Sequence, residues 1–236
     1  MNLDKFPIAR YNKKNIYWKD IKTPIRLKDD EKTYESLPYI IDEKQRVSTF
    51  ISAASGAGKS MEACRLVKEM LKTNKYKDNK VVLLTLTEEA DEAYESLDYF
   101  KLPLEEAVLT QEPSFYRNTI FIADDWESGH KEIVDMIHGL IKRLLERGRK
   151  LNIGIIICCH QTQNYNLTRD IIFECQDYVL FPIAGMNSIL KFCKAYLDMD
   201  NKELKALQKD VENDRKFHIR KSVPRYLVAD KVVRKI

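Results

Sequence analysis

No Cys-x-x-Cys pair occurs in the 236 residues, and the five cysteines, Cys64, Cys158, Cys159, Cys175 and Cys193, are an odd number. Neither a zinc-ligand set nor a disulfide framework is signalled. Two adjacent cysteines inside an apolar run fit reduced thiols of an intracellular protein. Long apolar stretches are missing too: the longest, Ile153 to Cys159 with Gly154 inside it, is too short to cross a bilayer. The opening residues, Met1-Asn2-Leu3-Asp4-Lys5, hold no apolar h-region, so a soluble chain not secreted by a signal peptide is expected. Charge of one sign does not dominate either. Lys and Arg number 40 against 36 Asp and Glu, and the net charge of +4 permits an acidic partner without demanding one. Zinc fingers, helix-turn-helix elements and similar base readers are absent. Any contact with nucleic acid is therefore expected to reach phosphates and to be indifferent to sequence.

What is present suits one large α/β domain with a buried core, since 44% of the residues are hydrophobic. The most informative stretch is Phe50-Ile51-Ser52-Ala53-Ala54-Ser55-Gly56-Ala57-Gly58-Lys59-Ser60, a β-rich run that empties into a small-residue loop ending in Gly-Lys-Ser. It follows the strand, loop, helix layout of G-x-x-x-x-G-K-S/T, with Ala53 in place of the first glycine. Gly56 and Gly58 stand where backbone approaches phosphate and positive φ is needed, so Ala54 to Met61 is the candidate cradle for a nucleotide, ATP. Lys59 would reach the β- and γ-phosphates and Ser60 would hold Mg²⁺, helped by the N-terminus of the following helix. The bland alternative is a small-residue turn between a strand and a helix.

The remainder of the chain alternates strand and helix. Residues 1–24 mix Lys5, Arg10, Lys13, Lys14, Lys19 and Lys22 with Phe6, Tyr11, Tyr17 and Trp18, an arm suited either to nucleic acid or a neighbour, or to packing on its own domain, residues 25–236. Pro24-Ile25-Arg26-Leu27 and Tyr39-Ile40-Ile41 read as short extended pieces, and Val47 to Ile51 as the strand feeding the loop. Helical spacing of Ala63, Leu66, Val67, Met70 and Leu71 predicts a helix from Lys59, packed on the sheet by one face. Lys80 to Leu86 is a near-continuous β run, as expected of a parallel strand buried on both sides. Residues 88–97, with Glu88, Glu89, Asp91 and Glu92 at their start, read as a second helix. Further helices are expected at 129–147, 187–197 and 201–213. The extended pieces 216–220 and 226–229, joined through Pro224, predict a terminal hairpin. The order of elements predicts a mostly parallel sheet with helices on both faces.

Thr119-Ile120-Phe121-Ile122-Ala123-Asp124-Asp125 brings two carboxylates to the end of a hydrophobic strand, the edge where open parallel sheets hold ligands. Asp124 would orient Mg²⁺ and Asp125 would polarise the attacking water. Taken alone, the pair also fits an ordinary helix cap. The phosphate loop upstream favours the metal reading, because the ion held by Ser60 needs a second anchor. The helix ending near Arg147 closes in a basic cluster, Arg143, Arg147, Arg149 and Lys150. That cluster reads either as complement to the helix dipole or as an arginine finger for a neighbour's nucleotide. Asn152 to Gln161 is another buried strand, and Gln161 at its end is placed to sense the γ-phosphate. His160 beside it reads as a core or rim histidine.

Taken together, the phosphate loop, Asp91-Glu92-Ala93-Tyr94, Asp124-Asp125, Gly148 to Gly154 leading to Gln161, and Pro224-Arg225-Tyr226 resemble the FtsK–HerA ATPases. Within them, residues 40–236 look most like the compact genome-packaging ATPases of double-jelly-roll viruses, among them large eukaryotic DNA viruses, virophages and membrane-containing phages. Departures are Ala53 for glycine and Asp125 where many relatives carry Glu, which raises a helping role for Glu127. The resemblance implies a RecA-like (ASCE) P-loop fold, a mostly parallel sheet sandwiched by helices with a C-terminal β-hairpin. It implies hydrolysis of ATP with Mg²⁺, with Lys59, Asp125, Arg149 and Gln161 as catalytic residues and Arg147 as the rival finger. It further implies a homo-oligomeric, hexameric ring around double-stranded DNA in the host cytoplasm or virus factory, with capsid vertex proteins as candidate partners. A replication-type P-loop ATPase, a nucleotide kinase and an ATP-binding scaffold are the competing readings, and no lid-like arginine cluster speaks for the kinase.

Overall fold

The computed structural model describes residues 7–27, 33–38, 46–89, 91–162, 167–222 and 225–236. The expected extended piece at Tyr39-Ile40-Ile41 and the linking Pro224 lie outside them. The chain opens with strands β1 (Pro7–Tyr11), β2 (Lys14–Tyr17), β3 (Ile25–Arg26) and β4 (Glu35–Ser36). Asn12 and Lys13 both carry positive φ, +47° and +64°, in the tight turn that folds β2 back on β1. β1 also pairs with β4, which makes a small antiparallel sheet. Ile8, Ala9, Ile21 and Tyr34 pack there against Tyr226, Val228 and Val233 near the end of the chain.

Next come β5 (Ser48–Ser52), helix α1 (Lys59–Leu71), β6 (Lys80–Leu84), β7 (Tyr99–Lys101), a short α2 (Glu106–Leu109) and β8 (Thr119–Ala123). α3 (Lys131–Arg147), β9 (Gly154–Cys159), α4 (Arg169–Glu174), β10 (Asp177–Leu180), α5 (Met186–Leu197) and α6 (Asn201–Val211) follow, and β11 (Phe217–Arg220), β12 (Tyr226–Ala229) and β13 (Val232–Lys235) complete the chain. The main sheet has ten strands in the order β3-β13-β12-β11-β10-β5-β9-β8-β6-β7. From β10 to β7 every neighbour is parallel, while β11, β12, β13 and β3 add an antiparallel wing beyond β10.

Alternation along the strands sends side chains to two separate cores. Ile51, Val81, Leu83, Ile120, Ile122 and Ile156 meet Ala63, Leu66, Val67 and Met70 of α1 on one face. Phe50, Leu84, Phe121, Ile155 and Ile157 meet Ile137, Leu140, Ile141 and Leu144 of α3, with Phe192 and Leu207 of α5 and α6, on the other. A central strand buried on both faces has no polar side to show, which is why these strands read as continuous apolar runs. The α/β fold, a mostly parallel sheet between helices with a C-terminal hairpin, agrees with the sequence reading. β13 extends that hairpin to three strands.

One element differs. Residues 88–97 are not an α-helix: among the described residues only Glu92–Tyr94 are helical, as one 3₁₀ segment that runs into a turn at Glu95 and Ser96. Asp91 accepts from the Ala93 N–H at 2.8 Å, which satisfies the turn locally and competes with continued helix. Tyr94 is drawn fully into the core, and the chain straightens into β7.

Candidate active site

Three parallel strands end at one edge. Register pairs Ser52 of β5 with Cys159 of β9, and Ala123 of β8 with Ile157. The loop after β5, His160 after β9 and the two carboxylates after β8 therefore emerge side by side. Ala53 donates its N–H to the Cys159 carbonyl at 3.2 Å and is buried. It behaves as one more strand residue and needs no positive φ, so alanine serves where the loop pattern has glycine. Gly56 and Gly58 do adopt positive φ, +72° and +101°, and Ala54 to Gly56 lie exposed. The loop thus turns into α1 with its anion-facing backbone open to solvent. Met61, on the first turn of α1, is exposed.

Lys59 and Ser60 are buried at the start of α1. Asp124 is buried as well, and its Oδ2 accepts from the Tyr94 hydroxyl at 2.7 Å. Ser60 lies near the same hydroxyl, so Tyr94 stands beside both proposed Mg²⁺ ligands. Burial first, with Cys158 and then the Asp124 carboxylate adding to it, pushes the Tyr94 hydroxyl far above its ordinary value and keeps it a donor. Hydroxyl and carboxylate oxygens are hard donors of the type Mg²⁺ selects. Tyr94 stood out in the sequence only as the end of the Asp91-Glu92-Ala93-Tyr94 motif, which gave it no role beside the metal ligands.

Asp125 has φ +48°, and its N–H reaches back to Asp124 Oδ1 at 3.0 Å. Its own Oδ1 lies 2.9 Å from His160 Nε2, while His160 Nδ1 lies 3.3 Å from Lys59 Nζ. Lys59 can only donate, so Nδ1 accepts and the ring proton sits on Nε2, directed at Asp125. The reading of His160 as a mere rim residue left this link out. Glu127 is engaged differently: its Oε2 accepts from the His160 backbone N–H at 2.7 Å. Burial raises the Glu127 carboxyl above its usual range, and that N–H works against the rise. Glu127 braces the end of β9 through this bond. Gln161 is exposed just beyond, and Ser52 Oγ donates to Thr162 Oγ1 at 3.3 Å nearby.

Two basic residues from the antiparallel wing also reach this side. The Arg215 guanidinium lies where a Cβ on Gly58 would sit, 2.7 Å from that point. Lys216 Nζ pairs with the buried Glu62 of α1, which Arg65 also holds at 2.6 Å. No sequence signal distinguishes these two from the other basic residues of the chain.

The basic cluster lies elsewhere. Arg149 and Lys150 belong to a 3₁₀ turn, Gly148–Leu151, at the opposite edge of the sheet. With Arg46, Arg147 and Arg220 they line a cleft of about 600 Å³. Arg147 pairs with Glu112 at 3.0 Å, whereas Arg149 has no hydrogen-bond or ion-pair partner among the described residues. The structure therefore brings Lys59, Ser60, Asp124 and Asp125 together and sets Arg149 apart from them. Among the described residues no helix is long and apolar enough to cross a membrane.

The comparisons with known proteins agree with this architecture. No family model matches the chain. Uncharacterized protein V3 of Sputnik virophage is 25% identical over 159 residues, 66% of this chain and 64% of that protein. The match thus spans just under two thirds of the relative's length. The pCW3 conjugation coupling protein TcpA, solved as a monomer with ATPγS, has a TM-score of 0.53 at 14% identity, over 90% of this chain and 71% of that one. The cytoplasmic domain of the type VII secretion ATPase EccC of Thermomonospora curvata has a TM-score of 0.51 at 13% identity, over 91% of this chain and 28% of that one. Sheet order and loop define a P-loop ATPase fold. TcpA and the EccC domain share that fold, and the virophage protein is a relative in sequence.

Proposed function

We propose that the chain hydrolyses ATP to move double-stranded DNA, packaging a viral genome into a preformed capsid as one subunit of a hexameric ring. The observation that carries the reading is the convergence of Lys59, Ser60, Asp124 and Asp125 on one sheet edge, with the Tyr94 hydroxyl donating to Asp124. The N–H groups of Ala54 to Met61 cradle the phosphates, and Lys59 carries positive charge to the terminal ones. Ser60 and Asp124 would hold Mg²⁺, which when bound would neutralise phosphate charge. Asp125 takes the proton of the attacking water, and Gln161 stands by to sense the γ-phosphate.

Arg149 serves a different subunit. Six residues of β9, about 20 Å of strand, lie between its turn and its own nucleotide edge, too far for its guanidinium to reach the phosphates there. In a ring the same guanidinium faces the neighbour's site. The virophage relative supports the viral setting, and the fold shared with a conjugation coupling protein supports work on DNA. The test is turnover of Mg-ATP by purified protein. Lys59→Ala is expected to abolish it with the circular dichroism spectrum unchanged, because the ammonium buried at the start of α1 is the charge the loop itself brings to the terminal phosphates. Wild-type turnover by a folded Lys59→Ala protein would refute the reading.

A further inference from the structure

We propose that His160 is a positioning residue for Asp125, tying the water-activating carboxylate to the lysine of the phosphate loop. The inference rests on the ATPase reading of the site. One imidazole makes both links: Nε2 donates to Asp125 Oδ1 at 2.9 Å, and Nδ1 accepts from Lys59 Nζ at 3.3 Å. The histidine is itself fixed, since its backbone N–H is held by Glu127 at 2.7 Å. Asp125 needs such a hold. It stands at φ +48°, a conformation that L residues keep only when their surroundings impose it, and its carboxylate has few other restraints.

Exposure argues for orientation over stability. The His160 and Asp125 side chains are 38% and 35% exposed, in the range where an ion pair or polar pair adds little to folding. A carboxylate that must meet one water in one direction, however, loses rate quickly when it swings: a misplacement of about 1 Å costs about 100-fold. Lys59 is thereby linked to Asp125 through a rigid ring, so the group that reads the phosphates and the group that activates water share one geometry.

Three substitutions separate the two links. His160→Gln can still donate toward Asp125 but cannot also accept from Lys59; His160→Asn is shorter and keeps only the Lys59 side. His160→Ala removes both. Steady-state kinetics should show kcat reduced about 10- to 100-fold in His160→Ala and His160→Asn, with ATP affinity by fluorescent-nucleotide titration within about twofold of wild type. His160→Gln should recover most of kcat. In an Asp125→Asn background, His160→Ala should add less than about twofold, because the residue it positions is gone. Independently of activity, ¹⁵N shifts of the ring should report the Nε2–H tautomer in wild type and its loss of preference in Asp125→Asn. Unchanged kcat in His160→Ala, equal rescue by Asn and Gln, or a full further loss in Asp125→Asn would overturn the role while leaving Lys59-dependent turnover intact. Absence of turnover in wild type would overturn the ATPase reading and this role with it.

Discussion

Asp124 and Asp125 are neighbours in sequence with different surroundings, and the difference assigns their work. Asp124 is buried and receives the Tyr94 hydroxyl, whereas Asp125 is partly exposed and faces His160. Asp125→Asn should therefore keep ATP binding and lose hydrolysis by about 100-fold or more, since it preserves shape and removes the base. Asp124→Asn should weaken Mg²⁺ dependence and binding together. If Asp124→Asn kept metal-dependent binding and Asp125→Asn lost it, in titrations with and without Mg²⁺, the two roles would be exchanged. The paired carboxylates were legible because an apolar run ending in Asp-Asp is local. The Tyr94 and His160 links were not, since each spans about 30 residues of chain and depends on which strands become neighbours.

Asp214, the residue before Arg215, gives a pH prediction. Burial first, then the nearby carboxylates of Asp230 and Asp210, raise Asp214 from 3.8 to about 6, against the Asp230 N–H that donates to it. Between pH 4 and 6 the native chain keeps a proton that the unfolded chain has lost, so stability falls as pH rises through that window and stays lower above it. The shift would be worth about 3 kcal/mol if fully buried, and about 1 kcal/mol once solvent screening of this half-buried group is allowed for. Asp214→Asn, which keeps an acceptor for the Asp230 N–H, should add about 1 kcal/mol in urea titrations at pH 7.5 and nothing at pH 3.5. A variant less stable at pH 7.5 would contradict the assignment.

At the scale of elements, α1 is the part that carries the loop, and it is tied to the rest of the chain at several points. Arg10 of β1 makes a bidentate contact with Glu69 at 3.2 and 3.1 Å, and Arg65 donates to the Ser36 carbonyl at 2.8 Å. Glu62 is the most deeply placed of these groups. Burial alone would raise its carboxyl, and Arg65 and Lys216 outweigh that and hold it below the usual range. Glu62→Gln leaves two cations without their counter-charge, so it should cost about 3–5 kcal/mol in chemical denaturation. A cost below about 1 kcal/mol would show that α1 is held by its apolar face alone. That face, period 3.6 over Ala63 to Met70, was readable directly, as were the two-sided strands. The extended piece expected at Pro24 to Leu27 is strand β3, whereas β13 was not legible, because four residues carry too little pattern to separate strand from loop. The acidic run at 88–97 misled for a related reason: helix-forming composition yielded to a capped turn that anchors Tyr94.

For the whole molecule, the sheet separates the nucleotide edge from the Arg149 cleft, and the proposed finger role follows from that separation only if a neighbouring subunit supplies the nucleotide. Arg149→Ala should bind ATP normally and lose about 10³- to 10⁵-fold in rate. Mixed with Lys59→Ala subunits it should recover part of that rate, because some interfaces then join an intact loop to an intact Arg149. Mixtures no faster than either variant, with mixed rings verified by mass photometry, would place the arginine in cis or in a structural role. Arg147 is the control: already paired with Glu112 in its own chain, it should tolerate alanine with a loss below about tenfold.

The central claim is that ATP turnover here is coupled to duplex DNA, and the direct measurement is steady-state hydrolysis with and without duplexes of several unrelated sequences, across a salt series. The account predicts Lys59-dependent turnover that duplex DNA stimulates equally for every sequence, with the stimulation falling steeply as salt rises, as phosphate contacts require. Sustained turnover indifferent to DNA, or stimulation confined to one sequence at physiological salt, would contradict it.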